Sequence, residues 1–367
     1  MIDYRDNRGK KHDLAFVILN FFLSILRSPS LLNFSQIHRM MKIQHSDLQE
    51  ITSIKTSCYC ISYTQLKRIL SSFDYASFNA LNEKYFGSIL QEKLAWFAVD
   101  GKELRGTIDK ISGQKRGLNL VQIVNHDSKK NAVMGFYDGS KESEKTLVLS
   151  HFNHRKSLKS QAYSLDALHT YPQILETISS RDGIYLSQVK LNQKHLLEDC
   201  KHTHNHLFTK YIFKEYEKAH GRIEHRKAFL YPLNIECLDK KWIKTNIKTL
   251  IVVERFRENI KTGNQSKEKA YFISNQTLTE HNAEKLAKAT RKHWAIESEH
   301  YIRDKNFGED LIKTFNSNTA RTIAVCISWA LNLIRNTGNN QNIKALREKI
   351  AVDKQLILGL LNKKNFL

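Results

Sequence analysis

Apolar residues recur at helical spacing in three stretches near the start of the chain, 14–26, 35–41 and 64–73, with polar breaks between them. In the third, Ser62 precedes an amphipathic run carrying Leu66, Ile69 and Leu70, the pattern of a hydroxyl-capped helix start. Near Ala95 the period changes. Residues 96–99 predict a short strand ending on Asp100, and 118–124 and 132–137 alternate or run apolar as further strands do. A helix is expected over 142–151, a strand over 161–165 ending on Asp166, a helix over 168–178, a strand over 184–189 and a helix over 193–206. The stretch 207–275 breaks this rhythm, with strand-like runs at 227–231, 249–253 and 270–274 among basic residues. From 278 to about 335 the period is helical again, and a last helix is expected over 342–361. This order predicts an α/β fold, a mixed sheet flanked by helices. It divides the chain into a helical N-terminal domain (1–90), a sheet domain (91–315) with a mostly β insertion at about 200–276, and C-terminal helices (316–367).

The chain has 367 residues, of which 41% are hydrophobic, enough for a core and against wholesale disorder. Lys and Arg number 58 against 37 Asp and Glu, a net charge of +21 that favours a polyanionic partner, nucleic acid before an anionic membrane surface. The apolar runs 14–26 and 323–334 are interrupted by Asn20, Ser24, Ser328 and Asn332, and fall short of the ~20 residues of a membrane span. Basic residues before the first run imitate a signal peptide. Asp13 enters that run, Arg27 ends it and no small-residue cleavage site follows, so a buried helix is expected. Five cysteines without a CxxC predict reduced thiols in a cytoplasmic protein. Cys200, His202, His204 and His206 bunch together, but without a second ligand pair at zinc-site spacing they read as a solvated helix end.

Strand ends are where α/β proteins place ligand groups, so Asp100 and Asp166 converge if their strands are neighbours. Glu297, in a helical segment, is the third candidate. Three hard oxygen donors suit Mg²⁺ or Mn²⁺. In a basic protein they point to phosphodiester chemistry with two metal ions. Any one of these acids is equally well a cap, a turn former or a salt-bridge partner; the joint order carries the reading.

Seven segments carry a resemblance. Val99-Asp100-Gly101-Lys102-Glu103-Leu104-Arg105-Gly106 resembles the first catalytic motif of the H-repeat-associated insertion-sequence transposases, a DDE family with a ribonuclease-H-like core. In the family's order follow Lys141-Glu142-Ser143-Glu144 (K-x-N-E), Asp166-Ala167-Leu168 (the second acid), Lys190-Leu191-Asn192-Gln193 (K-G-N-Q), residues 220–226 (H-G-R-x-E-x-R), Tyr271-Phe272-Ile273-Ser274 (Y-Y-I-S) and His293-Trp294-Ala295-Ile296-Glu297 (H-W-x-I-E). Residues 3–12 resemble the opening D-P-R-x-x-x-G-x-x-H. Departures are Tyr4 for proline, Leu191 for glycine, and Ser298-Glu299-His300-Tyr301 and Asp304-Lys305-Asn306-Phe307 where the family has N-x-L-H-W and D-V-x-F. None removes an acid, though Glu299 stays open as a rival to Glu297.

The resemblance implies a ribonuclease-H-like sheet whose Asp100, Asp166 and Glu297 hold Mg²⁺, with Mn²⁺ as a substitute, for cleavage and strand transfer. It implies transposon ends and target DNA as partners, a homo-oligomer assembled on DNA, no membrane, a bacterial cytoplasmic and nucleoid-associated location, and end recognition by residues 1–90. Lys102, Arg105, Lys190, Arg222, Arg226, Arg291 and Lys292 are the candidate DNA contacts, with a solvated turn as the equal alternative for Lys102 and Arg105 and a solvent-facing helix side for Arg291 and Lys292. Arg222, Glu224 and Arg226 fit a DNA grip or an internal ion-pair network. Trp294 reads as core before base-stacking wedge. A decayed DNA-binding derivative and a stand-alone nuclease are the alternatives.

Overall fold

The computed structural model describes residues 3, 5–6, 10–28, 33–85, 95–137, 139–337, 342–353, 355–356 and 359. Helix α1 (Leu14–Arg27) starts at Asp13, whose carboxylate accepts the Phe16 N–H at 2.8 Å. The polar residues that interrupt its apolar run face α2 (Phe34–Thr52). There Gln44 Nε2 donates to Asn20 Oδ1 at 2.7 Å and to Ser24 Oγ at 2.9 Å, so they form a polar seam inside a helix pair. Among the described residues no helix is long and apolar enough to cross a membrane. Helix α3 (Tyr63–Ser72) starts as its sequence predicts, with Ser62 Oγ accepting from the Gln65 N–H, and α4 (Tyr75–Tyr85) follows. Arg5 clasps Asp3 at 2.7 Å and the His12 carbonyl at 2.8 Å, which ties the ends of the opening motif together. Positions 4 and 7–9 of that motif lie outside the described residues.

Among the described residues the sheet has nine strands: β1 (Ala95–Leu104), β2 (Leu118–Asn125), β3 (Asn131–Tyr137), β4 (Gln161–Leu165), β5 (Ile184–Val189), β6 (Tyr211–Ala219), β7 (Arg222–Pro232), β8 (Thr249–Asn259) and β9 (Gln265–Ser274). Their order is β3-β2-β1-β4-β5-β9-β8-β7-β6. β1 to β3 form an antiparallel meander, and β4 and β5 run parallel to β1. Helices α5 (Lys141–Asn153), α6 (Pro172–Ser180) and α7 (Lys194–His206) punctuate this half. The four inserted strands join through β9 on β5 and extend the same sheet, antiparallel throughout.

After the sheet, the described residues form the helices α8 (Glu280–Lys292), α9 (Ala295–Ile302), α10 (Ser317–Asn336) and α11 (Ile343–Val352). The expected final helix over 342–361 is shorter than its pattern: α11 stops at Val352, where Asp353 takes an extended conformation, and most of 354–361 lies outside the described residues. α10 is buried without a break from Thr322 to Ile334 and packs on α1, α3, α4 and β3, so one apolar core runs from the N-terminal helices to the sheet. Asn332 takes the place of a strand partner for the edge strand β3. It accepts from the Asn131 N–H at 2.8 Å, and its amide donates to the Asn131 carbonyl at 2.7 Å.

The glycine that ends the first motif is steric. A Cβ at Gly106 would overlap the carbonyl oxygen of Ile312, which is backbone and cannot swing aside. Gly106→Ala is expected to cost about 1–3 kcal/mol of stability by overpacking, read as a lowered urea midpoint with unchanged slope.

Candidate active site

Asp100 does not end its strand. β1 runs on to Leu104 because β2 pairs with it along that whole length, from Phe97↔Asn125 through Asp100↔Gln122 to Leu104↔Leu118. Its parallel partner β4 stops earlier, at Val99↔Leu165. Asp100 and Asp166 are therefore the first residues past the parallel ladder, side by side at its carboxyl end. Asp166 caps a 3-10 turn (Ala167–His169), its Oδ1 accepting the His169 N–H at 3.2 Å. Glu297, in the first turn of α9, lines the same cavity of about 160 Å³ as both aspartates. Its rivals face elsewhere. Glu299 is 1% exposed and paired with Arg335, and Asp304 lies 2.8 Å from the Lys102 ammonium.

The two aspartates are electrostatically unequal. Burial, and then the neighbouring charge of Asp166, push the Asp100 carboxyl up to about 7. Asp166 is half-buried, which alone would raise its carboxyl, yet His169 holds it below the usual range. His169 is fully buried with Nδ1 2.9 Å from Asp166 Oδ1 and Nε2 3.1 Å from Glu144 Oε1. Burial pulls its pKa down, but the two carboxylates outweigh it and push it up to about 10, so the ring is a cation at neutral pH. Glu144 in turn accepts from the Tyr137 hydroxyl at 2.6 Å. A second string, His126 Nε2 to Ser164 Oγ (2.8 Å) to His293 Nδ1 (2.9 Å), is uncharged. Burial lowers His126 to about 2 and His293 to about 4. It ties the segment leading into α9 onto β4, which gives the histidine of the H-W-x-I-E motif a structural task.

The donor set fits a hard divalent cation. Asp100, Asp166 and Glu297 offer carboxylate oxygens, and a cation beside Asp100 and Asp166 would offset both the burial and the repulsion that favour a proton on Asp100. Among the described residues no three His, Cys, Asp or Glu side chains stand ready-made to hold a metal, so these acids would have to close on it. A metal must displace the Asp100 proton, so Mn²⁺ affinity should rise with pH up to about 7 and level off above it. Calorimetric titration across pH 6–8 checks this, and Asp100→Asn should flatten the profile.

The basic candidates divide. Lys102 is turned away from solvent, its side chain 6% exposed and its ammonium 2.8 Å from Asp304, 3.1 Å from Asp310 and 3.5 Å from Glu309. It is an internal counter-ion and not a free phosphate contact, because the turns Arg303–Phe307 and Glu309–Leu311 bring these acids to it. Arg105 is exposed, with its nearest carboxylate at 4.0 Å, and Lys190 is exposed at the cavity. Arg291 is paired with Glu217 and Glu215, and Lys292 with Asp127. Glu224 gathers Arg226 (2.7 Å), Arg257 (3.0 Å) and Arg222 (3.7 Å), so the internal network exists. Nε and Nη1 of Arg226 nonetheless remain buried without a hydrogen bond beside the cavity, as do those of Arg255, a residue the sequence did not single out. Trp294 is not core. It is 42% exposed at the cavity, with the Arg255 and Arg257 guanidiniums 5.0 and 5.6 Å from its ring centre. In the histidine-rich run, His204 bonds the Tyr231 hydroxyl at 2.8 Å and Cys200 is buried in the core.

Residues 95–333 match the family model described as "Transposase DDE domain". The chain is 28% identical over 307 residues to the Escherichia coli O157:H7 protein named "Putative transposase YncI", covering 78% of this chain and 74% of that one. It is 24% identical over 375 aligned positions to the Escherichia coli protein named "H repeat-associated putative transposase YhhI", covering 98% of this chain and 95% of the other.

Proposed function

The chain belongs to the DDE transposase family, and on that premise we propose that it is an insertion-sequence transposase that cuts DNA at element ends and joins them to target DNA, with Asp100, Asp166 and Glu297 as its catalytic acids. The observation that carries this reading is the meeting of Asp100 and Asp166 at the end of the parallel ladder, with Glu297 on the same cavity. These three carboxylates would hold Mg²⁺, or Mn²⁺ in its place. When bound, the ions supply an activated water and stabilise the leaving 3′ oxygen.

The chain's own residues do the remaining work. The unsatisfied guanidinium nitrogens of Arg226 and Arg255 are donors for a phosphate drawn to the acids, and Lys190 adds charge at the rim. Trp294 offers a ring face to an unstacked base. No side-chain nucleophile is required, since water and then the freed 3′-OH attack phosphorus. Residues 1–90 serve as the end-recognition domain, and the active assembly on DNA is a homo-oligomer working at the bacterial nucleoid.

The test uses element-end DNA with Mg²⁺. Cleavage followed by joining of precut ends to a plasmid supports the transposase. Cleavage without joining marks a stand-alone nuclease, and binding without cleavage a decayed derivative.

Binding itself should be steeply salt-dependent. With a net charge of +21, the log of affinity is expected to fall linearly with log salt, with a slope of about −0.9 per phosphate contact on duplex DNA. Fluorescence anisotropy on random and cognate duplexes checks this, and a flat response would mean that the charge faces something other than nucleic acid.

A further inference from the structure

A line of three side chains stands behind Asp166 and touches no part of the cavity. Asp166 sits in a short turn just past β4, where a carboxylate would ordinarily rotate. Here its Oδ1 takes two contacts from one residue, the His169 backbone N–H at 3.2 Å and the ring Nδ1 at 2.9 Å. Oδ2 is left with no ion pair or side-chain hydrogen bond among the described residues. The imidazole is 0% exposed, so packing keeps it from swinging, and its Nε2 lies 3.1 Å from Glu144 Oε1; both ring nitrogens meet their carboxylates as ion-pair contacts and not as aligned hydrogen bonds. Glu144 is fixed in turn by the Tyr137 hydroxyl at 2.6 Å and by the first turn of α5, which Ser140 caps. Gly101, next to Asp100, makes the room: a Cβ there would stand 2.7 Å from Glu144 Oε1 and from the Tyr137 hydroxyl.

We infer that His169 and Glu144, with Tyr137 behind them, are positioning residues that clamp one oxygen of Asp166 and present the other to the metal. This rests on the reading of Asp166 as a metal ligand. A buried charged cluster adds little net stability, because desolvation offsets the attraction; what it does supply is orientation. Outer partners of a ligating carboxylate typically change metal affinity by roughly 10–100-fold when removed. The line also gives the K-x-N-E-like segment a task, since Glu144 is its acid.

The experiment measures Mn²⁺ binding to the full chain, without DNA or turnover, from the electron paramagnetic resonance signal of free Mn²⁺. Four proteins are compared: wild type, Asp166→Asn, Glu144→Gln and Tyr137→Phe. Glu144→Gln should weaken Mn²⁺ binding by about 10–100-fold and Tyr137→Phe by a smaller factor, while metal-free affinity for random DNA stays at the wild-type value. That last readout separates positioning from a folding defect, which would lower both. Wild-type Mn²⁺ affinity in Glu144→Gln and Tyr137→Phe, with loss in Asp166→Asn, overturns the inference and leaves the ligand reading intact. Wild-type affinity in Asp166→Asn overturns the ligand reading itself. If Glu144→Gln does not fold, Tyr137→Phe, which loses a single hydroxyl, decides: weakened binding supports the clamp and unchanged binding overturns it.

Discussion

Asp166→Asn should abolish DNA strand cleavage, with a loss on the order of 10³-fold or more, while DNA binding survives. The substitution keeps the shape of the side chain and removes the charge that would ligate a metal. An ion that no longer polarises the phosphoryl oxygen forfeits several kcal/mol of transition-state stabilisation, and ~4 kcal/mol corresponds to about 10³ in rate. Asp100→Asn and Glu297→Gln should behave alike, since all three line one cavity. Affinity for DNA should be unchanged or slightly tighter, because a negative charge has been taken from a phosphate site. A gel-based cleavage assay beside anisotropy separates the two effects. Cleavage retained in Asp166→Asn would falsify the catalytic assignment. Glu299→Gln makes the contrast: its carboxylate is buried against Arg335, so its loss should appear in stability before it appears in chemistry.

The second large effect is on folding. Arg303 is fully buried, its guanidinium bonded to Glu309 (2.8 Å), Ser328 Oγ (2.9 Å) and the Ala324 carbonyl (2.8 Å). It joins the turn after α9 to the central helix α10. Arg303→Met leaves Glu309 buried with only the Lys102 ammonium at 3.5 Å, and should destabilise the protein by about 3–5 kcal/mol. Replacing both, Arg303→Met with Glu309→Leu, should recover much of the loss, since no charge is then left unpaired. The pH dependence has a definite sign. Burial would raise the Glu309 pKa, but Arg303 and Lys102 hold it below its ordinary 4.5. Its contribution is fully present above that value and is lost as pH falls through the lowered one. Wild type and the single variant should therefore converge in acid, as urea titrations at pH 7 and below pH 4 would show.

Most of the fold could be read from the chain because its strands and helices carry their own periods. The order of β1 to β5 with the intervening helices follows from apolar patterning, and Ser62 from a capping rule. β6 escaped because, after Tyr211-Ile212-Phe213, it is mostly lysines and glutamates, on a strand with no fully buried position. Helix α2 is far longer than its apolar run, since its later turns hold Gln44 and His45 as buried polar groups. The break between α9 and α10 was also hidden. It rests on Gly308 in a left-handed conformation and on charges that satisfy one another only in three dimensions.

The site was legible to a different depth. Asp100 and Asp166 stood out because strand ends are informative, even though β1 in fact continues past Asp100. Lys102 looked like a phosphate contact from its neighbours in sequence, but its partners Asp304 and Asp310 lie about two hundred positions away and no local pattern announces them. His169 went unmarked for another reason: Asp166 stands three residues before it, but the second carboxylate that fixes its ring, Glu144, comes from α5. Arg255 lies in a strand where charge reads as solvent exposure, and only the pairing of β8 with β7 and β9 brings it to the cavity.

Manganese anomalous scattering from crystals of the full chain tests the proposed centre most directly. Density beside the carboxylates of Asp100 and Asp166, with Glu297 completing the ligands and any second ion ~3.5–4 Å from the first, is the expected result. Manganese held instead by Asp304, Glu309 and Asp310, or Asp100 and Asp166 free of metal in crystals that bind it elsewhere, would contradict it.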